Sequence, residues 1–174
     1  MILINSIKSS QEQTDVNVAK HAYYFNLKIN SLGNYALKYN TGRRCLIHQM
    51  VDGLLNDFYG VPAVQSFKNG KLLEINHYSL GKLNDVDELN PAILEFWPNG
   101  NIRTLCRFKD NKANNSEKGE PASIRYFENG KVKIICYYKD NMLDDLCETA
   151  AYTTYDETGK ILIKEHYNKG QKIG

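Results

Sequence analysis

A chain of 174 residues with 42% hydrophobic residues and a formal net charge of +2 holds enough apolar material for one folded domain. That near-neutral charge makes no electrostatic case for nucleic acid or a membrane, and no apolar run approaches the ~20 residues of a transmembrane helix. The first residues lack the charged start, long apolar stretch and small cleavage site of a secretory signal, so a cytoplasmic protein is expected.

In chain order, residues 1–32 stand apart from the rest of the chain. Residues 22–29 alternate enough to form a strand, whereas 11–19 are polar and suit a loop or a short helix. The segment is expected to be a cap closing the first edge of a sheet, because end units of repeat arrays are atypical. A separate binding element is the other reading.

From residue 33 a phrase of roughly thirty residues recurs, a period that marks stacked supersecondary units. Its turn glycines are Gly42, Gly70, Gly100, Gly130 and Gly159, spaced 28, 30, 30 and 29 residues apart. A small residue precedes four of them (Ala63, Ala92, Ala122, Ala151), and an aromatic follows that alanine at Phe67, Phe96, Tyr126 and Tyr155. Two residues past each glycine stands an aliphatic (Leu72, Ile102, Val132, Ile161), and eight past it an aromatic (Tyr78, Phe108, Tyr138, Tyr167). Gly or Asn stands eleven past it, at Gly53, Gly81, Asn111, Asn141 and Gly170. The units are expected at 33–57, 60–85, 90–115, 120–145 and 149–174. The first is degenerate, with Arg44 in the aliphatic place.

Each unit reads as a β-hairpin, since Asn-Gly between alternating flanks is the strongest short-range hairpin signal. Phe96 and Ile102, and Tyr126 and Val132, pair across a three-residue loop with Gly in the left-handed region. Phe67 and Leu72 are one residue closer and pair across a two-residue type I′ turn, Asn69-Gly70. One face is expected to carry Ala122, Ile124, Tyr126, Val132, Ile134, Cys136 and Tyr138. The opposite, mixed face is expected to carry Trp97, Arg103, Arg107, Arg125, Phe127, Lys133 and Tyr137. Pairs of Asn and Asp (Asn56-Asp57, Asn84-Asp85, Asn114-Asn115, Asp144-Asp145) read as turn-forming links, and 111–119 as the longest and most flexible of them.

No catalytic constellation stands out. Cys45, Cys106, Cys136 and Cys147 have no metal-site spacing. Cys106 and Cys136 share a repeat position and read as small buried residues. His77 and His166 share the position seven past the glycine, in distant units. The Gly-Lys pairs all fall in hairpin turns, with no phosphate-cradling loop and helix around them. No cofactor, no metal and no enzymatic activity are expected. The mixed face is the one functional candidate, because aromatic residues and Arg are the types that dominate binding hot spots. It reads equally as ordinary solvated sheet or as a surface packed on the first segment.

The repeated Pro-Ala-x-x-x-aromatic-x-x-Asn-Gly-Lys-aliphatic pattern, clearest at 91–100 and 121–130, resembles the MORN-repeat variant family of bacterial and phage proteins, some labelled antitoxin components. The resemblance implies an all-β fold of stacked antiparallel hairpin repeats forming an elongated, curved sheet with a short N-terminal cap. It implies an interaction module. The expected function is non-enzymatic binding of another protein, a toxin or defence-system component, neutralised by steric occlusion. The alternative is a self-associating, dimeric or membrane-peripheral scaffold. Nucleic acid is not an expected partner.

Overall fold

The computed structural model describes residues 23–28, 35–40, 44–51, 53–57 and 61–173. The expectations for 1–22, the polar stretch 11–19 among them, lie outside the described residues. Those residues form strands, turns and links, and no helix. β1 (Tyr23–Lys28), β2 (Tyr35–Asn40), β3 (Arg44–Val51) and β4 (Leu54–Leu55) make up the start of the array. Each of the next three units has two long strands and two short ones. These are β5 (Val64–Lys68), β6 (Lys71–Asn76), β7 (Tyr78–Ser79) and β8 (Lys82–Leu83), then β9 (Ile93–Phe96), β10 (Ile102–Cys106), β11 (Phe108–Lys109) and β12 (Lys112–Ala113). The third set is β13 (Ser123–Tyr126), β14 (Val132–Cys136), β15 (Tyr138–Lys139) and β16 (Met142–Leu143). The last unit runs β17 (Tyr152–Tyr155), β18 (Ile161–Asn168) and β19 (Gln171–Ile173).

The long strands join in chain order into one open antiparallel sheet, β1-β2-β3-β5-β6-β9-β10-β13-β14-β17-β18-β19, with β4 on β3. At about 4.8 Å between neighbours the sheet is elongated across its strands, about 50 Å from edge to edge. The short strands pair as β7-β8, β11-β12 and β15-β16, a second row of hairpins beside the sheet.

The expected pairings hold. Phe67 pairs with Leu72, Phe96 with Ile102 and Tyr126 with Val132, and the last unit adds Tyr155 with Ile161. Asn69 and Gly70 both have positive φ (51° and 75°), as a type I′ turn requires. In the next unit Trp97 O accepts from Gly100 N–H at 2.9 Å, Asn101 O accepts from Trp97 N–H at 2.8 Å, and Gly100 has φ 94°. This is the three-residue loop.

Beyond the turn the faces differ from expectation. Each of the last four units carries a bulge three residues past its glycine, at Leu73, Arg103, Lys133 and Leu162, where two residues oppose one. The bulge reverses the alternation of every residue after it. Ile134 therefore lies opposite Arg125, and Cys136 opposite Ser123, on the mixed face; Ile135 lies opposite Ile124 on the apolar face. The expected placing of Ile134 and Cys136 with Ile124 is corrected accordingly, and Tyr138, beside Cys136, goes with them. The apolar row that does run across the sheet is Ile75, Leu94, Leu105, Ile124 and Ile135, each opposite the next. None of these five is fully buried.

The most buried layer lies where the two rows of hairpins meet. Ala63, Ala92, Ala122 and Ala151 are fully buried there, beside Pro91. The carbonyls of Ala92, Ala122 and Ala151 accept from the N–H groups of His77, Arg107 and Tyr137. Nothing larger than a methyl side chain suits a strand crossed so closely by the next hairpin's backbone.

Candidate functional site

Two features are built by the repeat: a staple at the base of each unit and a cation–aromatic surface near the Asn-Gly turns. The staple begins with the linking Asp or Asn. Asp57 Oδ1 accepts from Ala63 N–H at 2.8 Å and Tyr78 N–H at 3.0 Å. Asp85 does the same for Ala92 and Phe108, Asn115 for Ala122 and Tyr138, and Asp145 for Ala151 and Tyr167, all within 3.1 Å. These residues tie the end of one unit to the start of the next. The residue before each one works in parallel. Asn56, Asn84, Asn114 and Asp144 accept from the N–H of Leu80, Asp110, Asp140 and Lys169. The link 111–119, read as flexible, is a hydrogen-bonded turn in which Ser116 O accepts from Gly119 N–H and Glu120 O from Ser116 N–H.

The other carboxylate oxygen of each Asp meets a basic side chain. Asp57 Oδ2 lies 2.6 Å from His77 Nδ1, Asp145 Oδ2 lies 2.6 Å from His166 Nδ1, and Asp85 Oδ2 lies 3.5 Å from Arg107 Nη1. Where the link is the neutral Asn115, the same position seven past the glycine is the neutral Tyr137. Sequence reading missed this pairing, although its signal was present: within one chain, acid goes with base and neutral with neutral. Burial pushes the Asp85 carboxyl up, despite the donors of Phe108 and Ala92 and the Arg107 charge. At Asp145 burial also pushes upward, but the Tyr167 and Ala151 N–H groups and His166 together hold the carboxyl below its ordinary value.

The structure divides the seven candidate residues. Arg103 sits over the Trp97 ring, 5.8 Å from its centroid, and its Nη2 is 3.0 Å from Glu95 Oε2. Lys133 sits over the Phe127 ring at 5.2 Å in the equivalent place of the next unit. Trp97 Nε1 donates to Tyr126 O at 3.4 Å, laying the indole across to that unit. Arg125, exposed and opposite Thr104 and Ile134, completes the group. These five share the mixed face. Arg107 and Tyr137 do not. Arg107 is 7% exposed, paired to Asp85 and close to Tyr126, while Tyr137 lies near Glu120 and Tyr155. Both lie past the bulge, where the alternation has reversed, and this removes them from the surface they were expected to form.

Cys106 and Cys136 lie in one row, each opposite Ser123 from either side and therefore not neighbours. Both are free thiols, and burial pushes Cys136 up to about 11, far from a reactive thiolate. Among the described residues no group of three His, Cys, Asp or Glu could hold a metal ion.

A family model described as the MORN repeat variant matches residues 122–140 and 148–169. Over these two stretches the chain is similar to the MORN repeat variant. The matched stretches are the β13–β15 and β17–β18 portions of the array. The same staple, bulge and buried alanine recur in the two units before them, back to Asp57. No match was found among curated proteins or among solved structures. MORN repeats are in general non-enzymatic repeat modules.

Proposed function

We propose that the chain is a non-enzymatic protein-binding module that neutralises its partner, a toxin or a defence-system component, by covering it with the mixed face of the sheet. The observation that carries this reading is the pair of stacked cation–aromatic units, Trp97–Arg103 and Phe127–Lys133, held in register on either side of the exposed Arg125. Rings held under cations on a rigid sheet lose little side-chain freedom on binding, which is what a hot spot needs. Among the described residues only Arg103 of the three cations has a carboxylate partner, so the surface suits an acidic partner. An open groove of about 380 Å³ lined by Lys71, Leu72, Phe96, Trp97, Pro98 and the Asn99-Gly100 turn lies at the same turn and would seat an apolar anchor.

The test is capture from the native host with the wild-type chain and with a Trp97→Ala/Arg103→Ala/Arg125→Ala variant, followed by titration of the purified partner. The variant should remain folded and lose about 2 kcal/mol or more of binding energy. Unchanged affinity would remove the face from consideration. A partner whose activity is untouched by the complex would remove the neutralising role.

A second reading, a self-associating or membrane-peripheral scaffold, is favoured by the apolar row from Ile75 to Ile135, which is only partly buried. Sedimentation at rising concentration and liposome co-flotation separate the two. A monomer that ignores lipid supports partner binding.

A further inference from the structure

The last three junctions between units of the array are made the same way. The residues four, five and six past a turn glycine pair with the first strand of the next unit: Glu74–Asn76 with β9, Thr104–Cys106 with β13 and Ile134–Cys136 with β17. The residue one past the glycine then reaches sideways to a turn carbonyl of that unit. Lys71 Nζ donates to Pro98 O at 2.7 Å, Asn101 Nδ2 to Glu128 O at 2.9 Å and Lys131 Nζ to Glu157 O at 2.8 Å.

In β18 the corresponding residues are Ile163, Lys164 and Glu165, with Lys160 as the sideways donor. On their inner side they pair with β17; on the outer side β19 covers only His166–Asn168. Ile161, Leu162 and Ile163 are accordingly 50%, 62% and 46% exposed. The middle position, held by Ile75, Leu105 and Ile135 at the interior junctions, is Lys164 here, and it has no acidic partner among the described residues.

We propose that this edge is a strand-addition site. It takes an extended segment of a partner protein, antiparallel to β18, with a carboxylate opposite Lys164, an apolar side chain opposite Ile163 and a backbone carbonyl within reach of Lys160. Main-chain pairing supplies the affinity of such a contact and the alternate side chains its specificity. A second copy of the chain fits poorly. Two-fold pairing of two β18 edges sets Lys164 of one against Lys160 or Lys164 of the other in two registers, where like charges directly opposite destabilise a ladder, and against Leu162 in the third, which leaves Lys164 without a carboxylate. The proposal does not rest on the Trp97–Arg125 surface.

The probes are two peptides with the sequence of residues 119–128, the array's own junction strand, both with Arg125→Val to set an apolar side chain opposite Ile163, one carrying Ile124→Glu and the other Ile124→Lys. Ile124 occupies the place opposite the middle position. The glutamate peptide should shift the backbone amide resonances of residues 161–164, and the lysine peptide should bind about fivefold more weakly. In a Lys164→Glu variant the preference should invert, and in Lys164→Gln it should vanish. Trp97→Ala should leave both titrations unchanged. Shifts confined to other strands, no shift with either peptide, or a preference that survives both Lys164 substitutions would each overturn the site. So would a concentration-dependent dimer that protects the β18 amides.

Discussion

At the scale of single residues, the Asx staple governs. One carboxylate oxygen serves two backbone donors that would otherwise be buried without a partner, and such groups cost about 1–3 kcal/mol each when orphaned. Asp85→Ala should therefore destabilise the chain by roughly 2–4 kcal/mol in urea unfolding, far more than an exposed Asp. Asp85→Asn should cost less, because Oδ1 is kept and only the Arg107 pairing is lost. The Asp145 carboxyl is held below its ordinary 3.8, so its contribution is fully present above that value and is lost as pH falls through the lower folded value. The stability difference between wild type and Asp145→Asn, followed by acid titration, should shrink on descending below 3.8 and stay level just above it. Asp85, shifted upward, has the opposite sign: ionisation costs stability, so wild type should gain on Asp85→Asn as the carboxyl becomes protonated. The pairing of these acids with His77, Arg107 and His166 was open to sequence reading, because the neutral pair Asn115–Tyr137 stands as its control within the same chain.

At the scale of the hairpin, turn chemistry and register act together. Gly100 has φ 94° and open space around it, so Gly100→Ala adds no clash and should cost only the left-handed conformation, about 1–2 kcal/mol in thermal or urea unfolding. Deleting Pro98 should be nearly neutral, since it leaves Asn99-Gly100 in the two-residue arrangement that Asn69-Gly70 already occupies beside Phe67 and Leu72. Leu80 has φ 48° and is 66% exposed, where Asn is the better residue; Leu80→Asn should raise stability by about 0.5–1 kcal/mol. The long hairpins were legible because Asn-Gly and paired aromatic and aliphatic residues recur at a fixed period. The bulges were not, because Leu73, Arg103, Lys133 and Leu162 share no chemistry. A bulge is fixed by how the backbone meets its neighbour, and it decided which side Arg107 and Tyr137 face. The short second hairpins were half legible. Their Gly or Asn eleven past each turn was visible, but strands of two residues are too short to show alternation.

At the scale of the molecule, the array is a one-dimensional stack in which each unit touches its neighbours. Stability in such a stack is a sum over units and junctions. Hydrogen exchange should find the slowest amides in β10 and β13, flanked by units on both sides, and the fastest at β18 and β19. Uniform protection from end to end would argue instead for a single cooperative body.

The sideways bonds from Lys71, Asn101 and Lys131, and the staples at the opposite end of the strands, are both satisfied by whole units alone. Such a chain can change length only in steps. Duplication or loss of a complete unit between equivalent residues leaves each surviving bond with a partner of the same kind, whereas a cut elsewhere strands donors along both margins at once. Lineages of this fold should therefore differ in unit number while holding the unit itself nearly constant. A rigid surface made in fixed increments then becomes a heritable way of matching the span of whatever it covers.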